Sequence, residues 1–90
     1  MGKAKNPTEA KLQLKAAVEA GEISLGSAAK AMREITGMNQ KDFAERVVGV
    51  SSRILSAIER DEANPKVETL NKIGRAFGYE VGWVRKRPTK

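Results

Sequence analysis

Seventeen lysines and arginines against eleven acidic residues, with neither a cysteine nor a histidine, bound the chemistry open to this 90-residue chain. The missing thiols and imidazoles remove disulfides, thiolate nucleophiles, most zinc sites and any nucleophile that needs an imidazole base. The carboxylates of Asp42, Glu45, Glu59, Asp61 and Glu62 have no ligand or acid–base spacing beyond what capping and surface roles explain. No catalytic residue, metal or cofactor is therefore expected. A net charge of +6 instead favours a polyanionic partner through counterion release. Charge alone does not separate nucleic acid from an anionic membrane or an acidic protein surface.

Spacing narrows that choice in the stretch from Gln40 to Glu59, which reads as two short amphipathic helices joined by a turn at Gly49. At roughly 100° per residue from Ser52, the second helix places Ile54, Leu55 and Ile58 on one arc and Ser52, Arg53, Ser56 and Arg60 on the other. The first arc is core. The second is short, polar and basic, which suits a nucleic-acid groove better than ordinary exposure, where longer charges of both signs are expected.

The flanking elements must position that pair. Asn6, Pro7 and Glu9 form a helix start and Gly21 a stop, with a narrow stripe of Leu14, Ala17 and Val18. This first helix either rests on the domain or serves as a partner-binding arm. Ser24 caps a second helix whose Leu25, Ala28, Ala29, Met32 and Ile35 make a core stripe ending at Gly37. Arg33 sits on the shoulder of that stripe and needs a carboxylate partner. Asn39 caps the third helix, with Phe43, Ala44 and Val47 as its buried side, and Ser51 caps the fourth. Asn64-Pro65 marks a loop, and Val67, Leu70, Ile73, Gly74 and Phe77 mark a fifth helix closed by Gly78. Over Tyr79–Arg85 a short strand competes with a last helical turn and is preferred, which would require a second subunit's strand or a partner edge.

No apolar run approaches the roughly 20 residues that span a bilayer, the N-terminus lacks a signal-peptide hydrophobic region, and Asn6 stands where myristoylation wants Ser or Thr. A cytoplasmic protein with no membrane partner is expected. The organisation expected is an N-terminal basic arm and helix over 1–23, a binding domain over 24–84 with its two-helix motif at about 40–60, and a basic tail over 85–90.

Arg33, Asn39-Gln40, Ala44, Gly49-Val50-Ser51, Leu55, Ile58-Glu59, Asn64-Pro65 and Leu70, in this order and spacing, resemble the lambda-repressor-like, Cro/Xre-type helix-turn-helix DNA-binding proteins over about Leu25 to Val84. The resemblance implies an all-α, five-helix domain, here with an extra N-terminal helix and the short C-terminal strand. It also implies a phosphate contact at Gln40 through its side chain or backbone amide, and base or backbone contacts at Ser51, Ser52, Arg53, Ser56, Ala57 and Arg60. Among these Arg53 has the planar fork that reads guanine bidentately, and Lys66 is a poor helix cap but a good phosphate ligand. Arg33 and Glu59 fall where relatives hold a buried ion pair. One departure stands out: the turn glycine follows Ala44 by five residues, at Gly49, where the family usually has four, so an extra residue lies near Val47 or Val48.

The expected function is that of a transcriptional repressor binding double-stranded DNA at a palindromic operator as a homodimer, with Val81, Trp83 and Val84 as dimer or partner contacts. A narrower expectation is a HigA-like or HipB-like antitoxin that also binds a toxin, because the ending is similar to the strand-like C-termini of some such proteins. The competing expectation is a protein-interaction module whose basic face meets an acidic partner.

Overall fold

Short polar side chains start four of the five helices in the computed structural model, which describes residues 6–83. Asn6 Oδ1 accepts from the Glu9 amide at 2.8 Å and opens α1 (Pro7–Ala20). Ser24 Oγ accepts from Ser27 at 3.0 Å and opens α2 (Leu25–Thr36). Asn39 Oδ1 accepts from Asp42 at 2.8 Å and opens α3 (Gln40–Asp42), and Ser51 Oγ accepts from Ile54 at 3.2 Å at the head of α4 (Ser52–Glu59). Each bond satisfies an amide that a helix end leaves without a partner. The fifth helix, α5 (Val67–Gly74), starts at Lys66 with no side-chain cap and closes in a 3-10 turn, Arg75–Phe77.

The core lies where α2, α3 and its continuation, α4 and α5 meet, with Phe43, Val48 and Leu55 almost fully enclosed and Met32, Ile58 and Ile73 around them. α1 is docked on α2 and buries Leu14 completely, so the first helix rests on the domain. Ala28, Ala29 and Ala44 keep the helices close without sacrificing helix propensity. Gly26 takes that further. A Cβ at this position would lie 2.3 Å from the Ile58 carbonyl oxygen and 2.6 Å from Asp61 Oδ1, so only glycine lets the first turn of α2 meet the end of α4.

Three differences from the sequence expectation have identifiable causes. First, α3 runs on as a π-helical segment, Phe43–Val48, ending at Gly49 with φ 82°. The Gly49 amide reaches back five residues to the Ala44 carbonyl at 2.7 Å, so the extra residue before the turn is taken up by one widened helical turn. The widening also moves the buried face, and Val48, not Val47, packs beside Phe43 and Ala44, while Val47 is half-buried.

Second, Leu25, Ile54 and Val67, all assigned to core stripes, are exposed. Each lies in the first turn of its helix, where side chains tilt toward the N-terminus and so extend past the packed layer. Third, no strand forms among the described residues, and Tyr79–Trp83 is irregular rather than the strand expected there. The Val81 amide donates to Asn71 Oδ1 at 2.9 Å, and an added Cβ on Gly74 would meet the Tyr79 carbonyl oxygen at 2.7 Å. The Tyr79 and Val81 amides are therefore bonded to α5, to the Gly74 carbonyl and Asn71 Oδ1, and not to a neighbouring strand. Val84 and Arg85 lie outside the described residues.

The Gly26 contact generates a test. Gly26→Ala should lower stability by about 1–3 kcal/mol, because the new methyl meets a backbone carbonyl that cannot swing aside. Gly82→Ala, which meets nothing within 4 Å, should leave the urea midpoint unchanged.

Candidate nucleic-acid interface

The orientation of α4 depends on a charge pair withdrawn from water. Arg33, in the last turn of α2, donates from Nε to Glu59 Oε2 at 2.7 Å and from Nη2 to Oε1 at 3.1 Å, with side-chain exposures of 14% and 3%. Its remaining nitrogen, Nη1, donates to the Met38 carbonyl at 3.1 Å and ties down the loop before α3. Gln40 completes the cluster, its Nε2 donating to Glu59 Oε1 at 3.0 Å. One carboxylate at the end of α4 is thus held from α2 and α3, and the Met38 loop by the same guanidinium.

The cluster is fully hydrogen-bonded, and this decides its energetics. Burial alone would push the Glu59 carboxyl up, but hydrogen bonds from Arg33 and Gln40, with the charges of Arg33 and Lys30, hold it below its ordinary value. Desolvating two ions costs about as much as their attraction returns, so the pair adds little net stability compared with an apolar pair. Its contribution is geometric: it sets the angle of α4, and loss of either partner strands the other.

At the same end of α4, Asp61 has φ 58° and turns its carboxylate onto the head of α2. Its Oδ2 accepts from Ser24 Oγ at 2.7 Å and its Oδ1 from the Gly26 amide at 2.8 Å. Sequence reasoning passed over this second clasp and left Asp61 among the surface carboxylates. The available signals were an Asp just past a helix end, where left-handed backbone is tolerated, and a glycine inside the first turn of α2.

Ahead of these clasps α4 presents the residues singled out for DNA contact. Arg53 is exposed, and its side chain makes no hydrogen bond or ion pair with the described residues. Ser51 is exposed but its oxygen is engaged in the cap, while Ser52 and Ala57 are half-buried. Ser56 Oγ accepts from Arg60 Nη1, and Arg60 Nε bonds Glu62 Oε1 at 3.1 Å. Arg60 is therefore held by an exposed pair of the kind that contributes little energy.

Two further expectations are repositioned. The Gln40 side chain, expected near a phosphate, is turned inward onto Glu59. Lys66 is exposed at the head of α5, apart from the α4 cluster in the chain and without a hydrogen bond or ion pair to it. Ile54, assigned to the core, is an exposed residue of the α4 first turn. Val81 is half-buried in an apolar groove with Val18, Leu25, Leu70 and Tyr79, and Trp83 is wholly exposed. Among the described residues no His, Cys, Asp and Glu group could hold a metal, and no helix is long and apolar enough to cross a membrane.

The Glu59 cluster has a pH signature. A carboxyl held below its ordinary value of 4.5 in the folded protein adds stability above that value and loses it as pH falls through the folded pKa. Glu59→Ala should cost about 3 kcal/mol at neutral pH and flatten the stability profile between pH 5 and the acid limit, as read by urea denaturation at a series of pH values (about one pH unit apart). An unchanged acid limb in the variant would mean that other carboxylates carry the acid transition.

The sequence model of the helix-turn-helix family matches residues 30–84, which takes in most of α2, the π-helical turn, α4, α5 and the segment after it. No curated protein and no solved structure matches the chain. The match covers more than half of the sequence and includes both partners of the Arg33–Glu59 pair. The chain belongs to the Cro/Xre-like helix-turn-helix family, a DNA-binding regulatory family and not an enzyme family.

Proposed function

We propose that this protein is a transcriptional repressor that binds a palindromic operator as a homodimer and acts by occluding the promoter. The observation that carries the reading is Arg53, an exposed guanidinium with no partner among the described residues, in the first turn of a helix whose angle is set by a buried clamp. A helix fixed in this way can enter a major groove with its N-terminal residues at base edges, and the guanidinium fork matches guanine O6 and N7. Ser52, Ser56 and Ala57 flank it, and Arg60, Lys66 and the Gln40 backbone amide serve as phosphate contacts that set register. The net charge of +6 supports the same reading by steering the protein to a polyanion.

The two-fold partner is assigned to the C-terminal end, through Val81, Trp83 and Val84. Its support is the wholly exposed indole of Trp83, two residues on from Val81, which itself lines an apolar groove, since exposed aromatic and apolar surface marks an interaction site. A narrower role, an antitoxin that also neutralises a toxin, draws less support. The irregular course of Tyr79–Trp83 removes the strand argument through that point, and the docked α1 is not a free arm. A toxin-like reading frame beside this one in the genome would favour that role. The same fold used as a protein-interaction module would bind an acidic protein and ignore DNA sequence.

Two measurements test the proposal. Arg53→Ala should cost about 1–3 kcal/mol on the best operator and relax preference at one base pair, whereas Lys66→Ala should weaken operator and random DNA alike and reduce the salt slope by about one. Equal losses on operator and random DNA for the Arg53 variant would remove its base-reading role. In sedimentation, Trp83→Ser should shift the protein from dimer to monomer; a variant that stays dimeric would place the subunit contact elsewhere.

A further inference from the structure

Ile54 is the side chain on α4 that neither the core nor the phosphate contacts explain. It is 49% exposed, whereas Leu55 and Ile58 on the same helix are 0% and 3% exposed. At roughly 100° per residue it lies about 100° from both Leu55 and Arg53 and about 60° from Ala57 one turn on. Ile54 and half-buried Ala57 therefore form a narrow apolar strip between the buried seam and the outward Arg53. The apolar groove beside Val81 is lined by residues of α1, α2, α5 and the segment 79–81 and by none of α4, so a subunit seated there does not account for Ile54.

Two hydroxyls at this face are already engaged. Ser51 Oγ takes the Ile54 amide, and Ser56 Oγ takes Arg60, which also holds Glu62. In the first turn this leaves Arg53 and Ile54 side by side as the two most exposed side chains, one a cation with a planar fork and the other a branched hydrocarbon. The base edges of a major groove offer hydrogen-bond donors, acceptors and a single kind of apolar group, the C5-methyl of thymine. A branched hydrocarbon carried into that groove gains only against that methyl, and loses where it desolvates a base donor or acceptor.

We propose that Ile54 is a specificity-determining residue that packs against the C5-methyl of a thymine adjoining the base pair read by Arg53. The inference rests on the DNA-binding reading above and adds an A·T preference at a neighbouring position, read by contact and not by hydrogen bonding. Leu25 and Val67 are comparably exposed in the first turns of their helices, but neither stands on the helix that carries Arg53.

The test uses the full-length protein and chemically altered DNA. Selection from a random duplex library defines the operator, and each thymine of one half-site is then replaced in turn by deoxyuridine, which removes the methyl and leaves every hydrogen-bonding group in place. Binding is measured by fluorescence anisotropy at one fixed salt concentration. One replacement should weaken the wild-type protein about three- to fivefold, the worth of one buried methyl-sized group. Ile54→Ala should be indifferent to that same replacement while keeping its preference at the Arg53 base pair. If no deoxyuridine weakens the wild-type protein, or if Ile54→Ala suffers the same loss, the thymine contact is overturned while operator binding stands. If selection enriches no sequence at all, both this contact and the repressor reading fall.

Discussion

A guanidinium and a carboxylate taken out of water between α2 and α4 set the geometry on which the rest of the molecule depends. Arg33 spends all three of its nitrogens, two on Glu59 and one on the Met38 carbonyl, and Glu59 takes a further bond from Gln40. In a medium of low polarity such a cluster tolerates no half-measures, because any member left unpaired costs more than the intact cluster returns. The arrangement therefore has one well-defined form, and with it one angle between α4 and the body of the domain. That single angle is what an interface helix needs if its first turn is to meet base edges and not merely phosphates.

The second clasp acts on the same end of α4 by different means. Asp61, in a left-handed conformation, accepts from Ser24 and from the Gly26 amide, so the carboxylate that follows α4 caps the start of α2. Gly26 makes room for it and for the Ile58 carbonyl. The two clasps grip the last residues of α4 and leave its first turn, with Arg53 and Ile54, facing solvent. Rigidity at one end and exposure at the other suit a helix that inserts its N-terminal turn into a groove.

The widened turn over Phe43–Val48 absorbs the extra residue inside the helix and not in the turn that follows it. An extra residue in a loop would change the path between α3 and α4; an extra residue inside a helix changes the register of one turn. Here the Ala44 carbonyl accepts from both Gly49 and Val50, and Val48 takes the core position that α-helical spacing assigns to Val47. Phe43 and Ala44 are fully buried, and α4 begins at its cap, Ser51.

Helix starts at Asn6, Ser24, Asn39 and Ser51, the ends at Gly21, Gly37, Gly49 and Gly78, and the need of Arg33 for a carboxylate were all legible in the sequence. Each rests on interactions within a few residues or on the cost of an unpaired charge, which a linear reading can weigh. The same reading carried the resemblance that points to DNA. Only the tertiary structure decided that Val48 replaces Val47, that Ile54 faces outward, that the Gln40 side chain turns in, and that Tyr79–Val81 lies on α5 without forming a strand. It also decided that Asp61 and Gly26 meet across thirty-five residues of chain. These outcomes turn on hydrogen-bond register, on the tilt of first-turn side chains and on contacts distant in sequence, none of which a periodic pattern of residue types encodes.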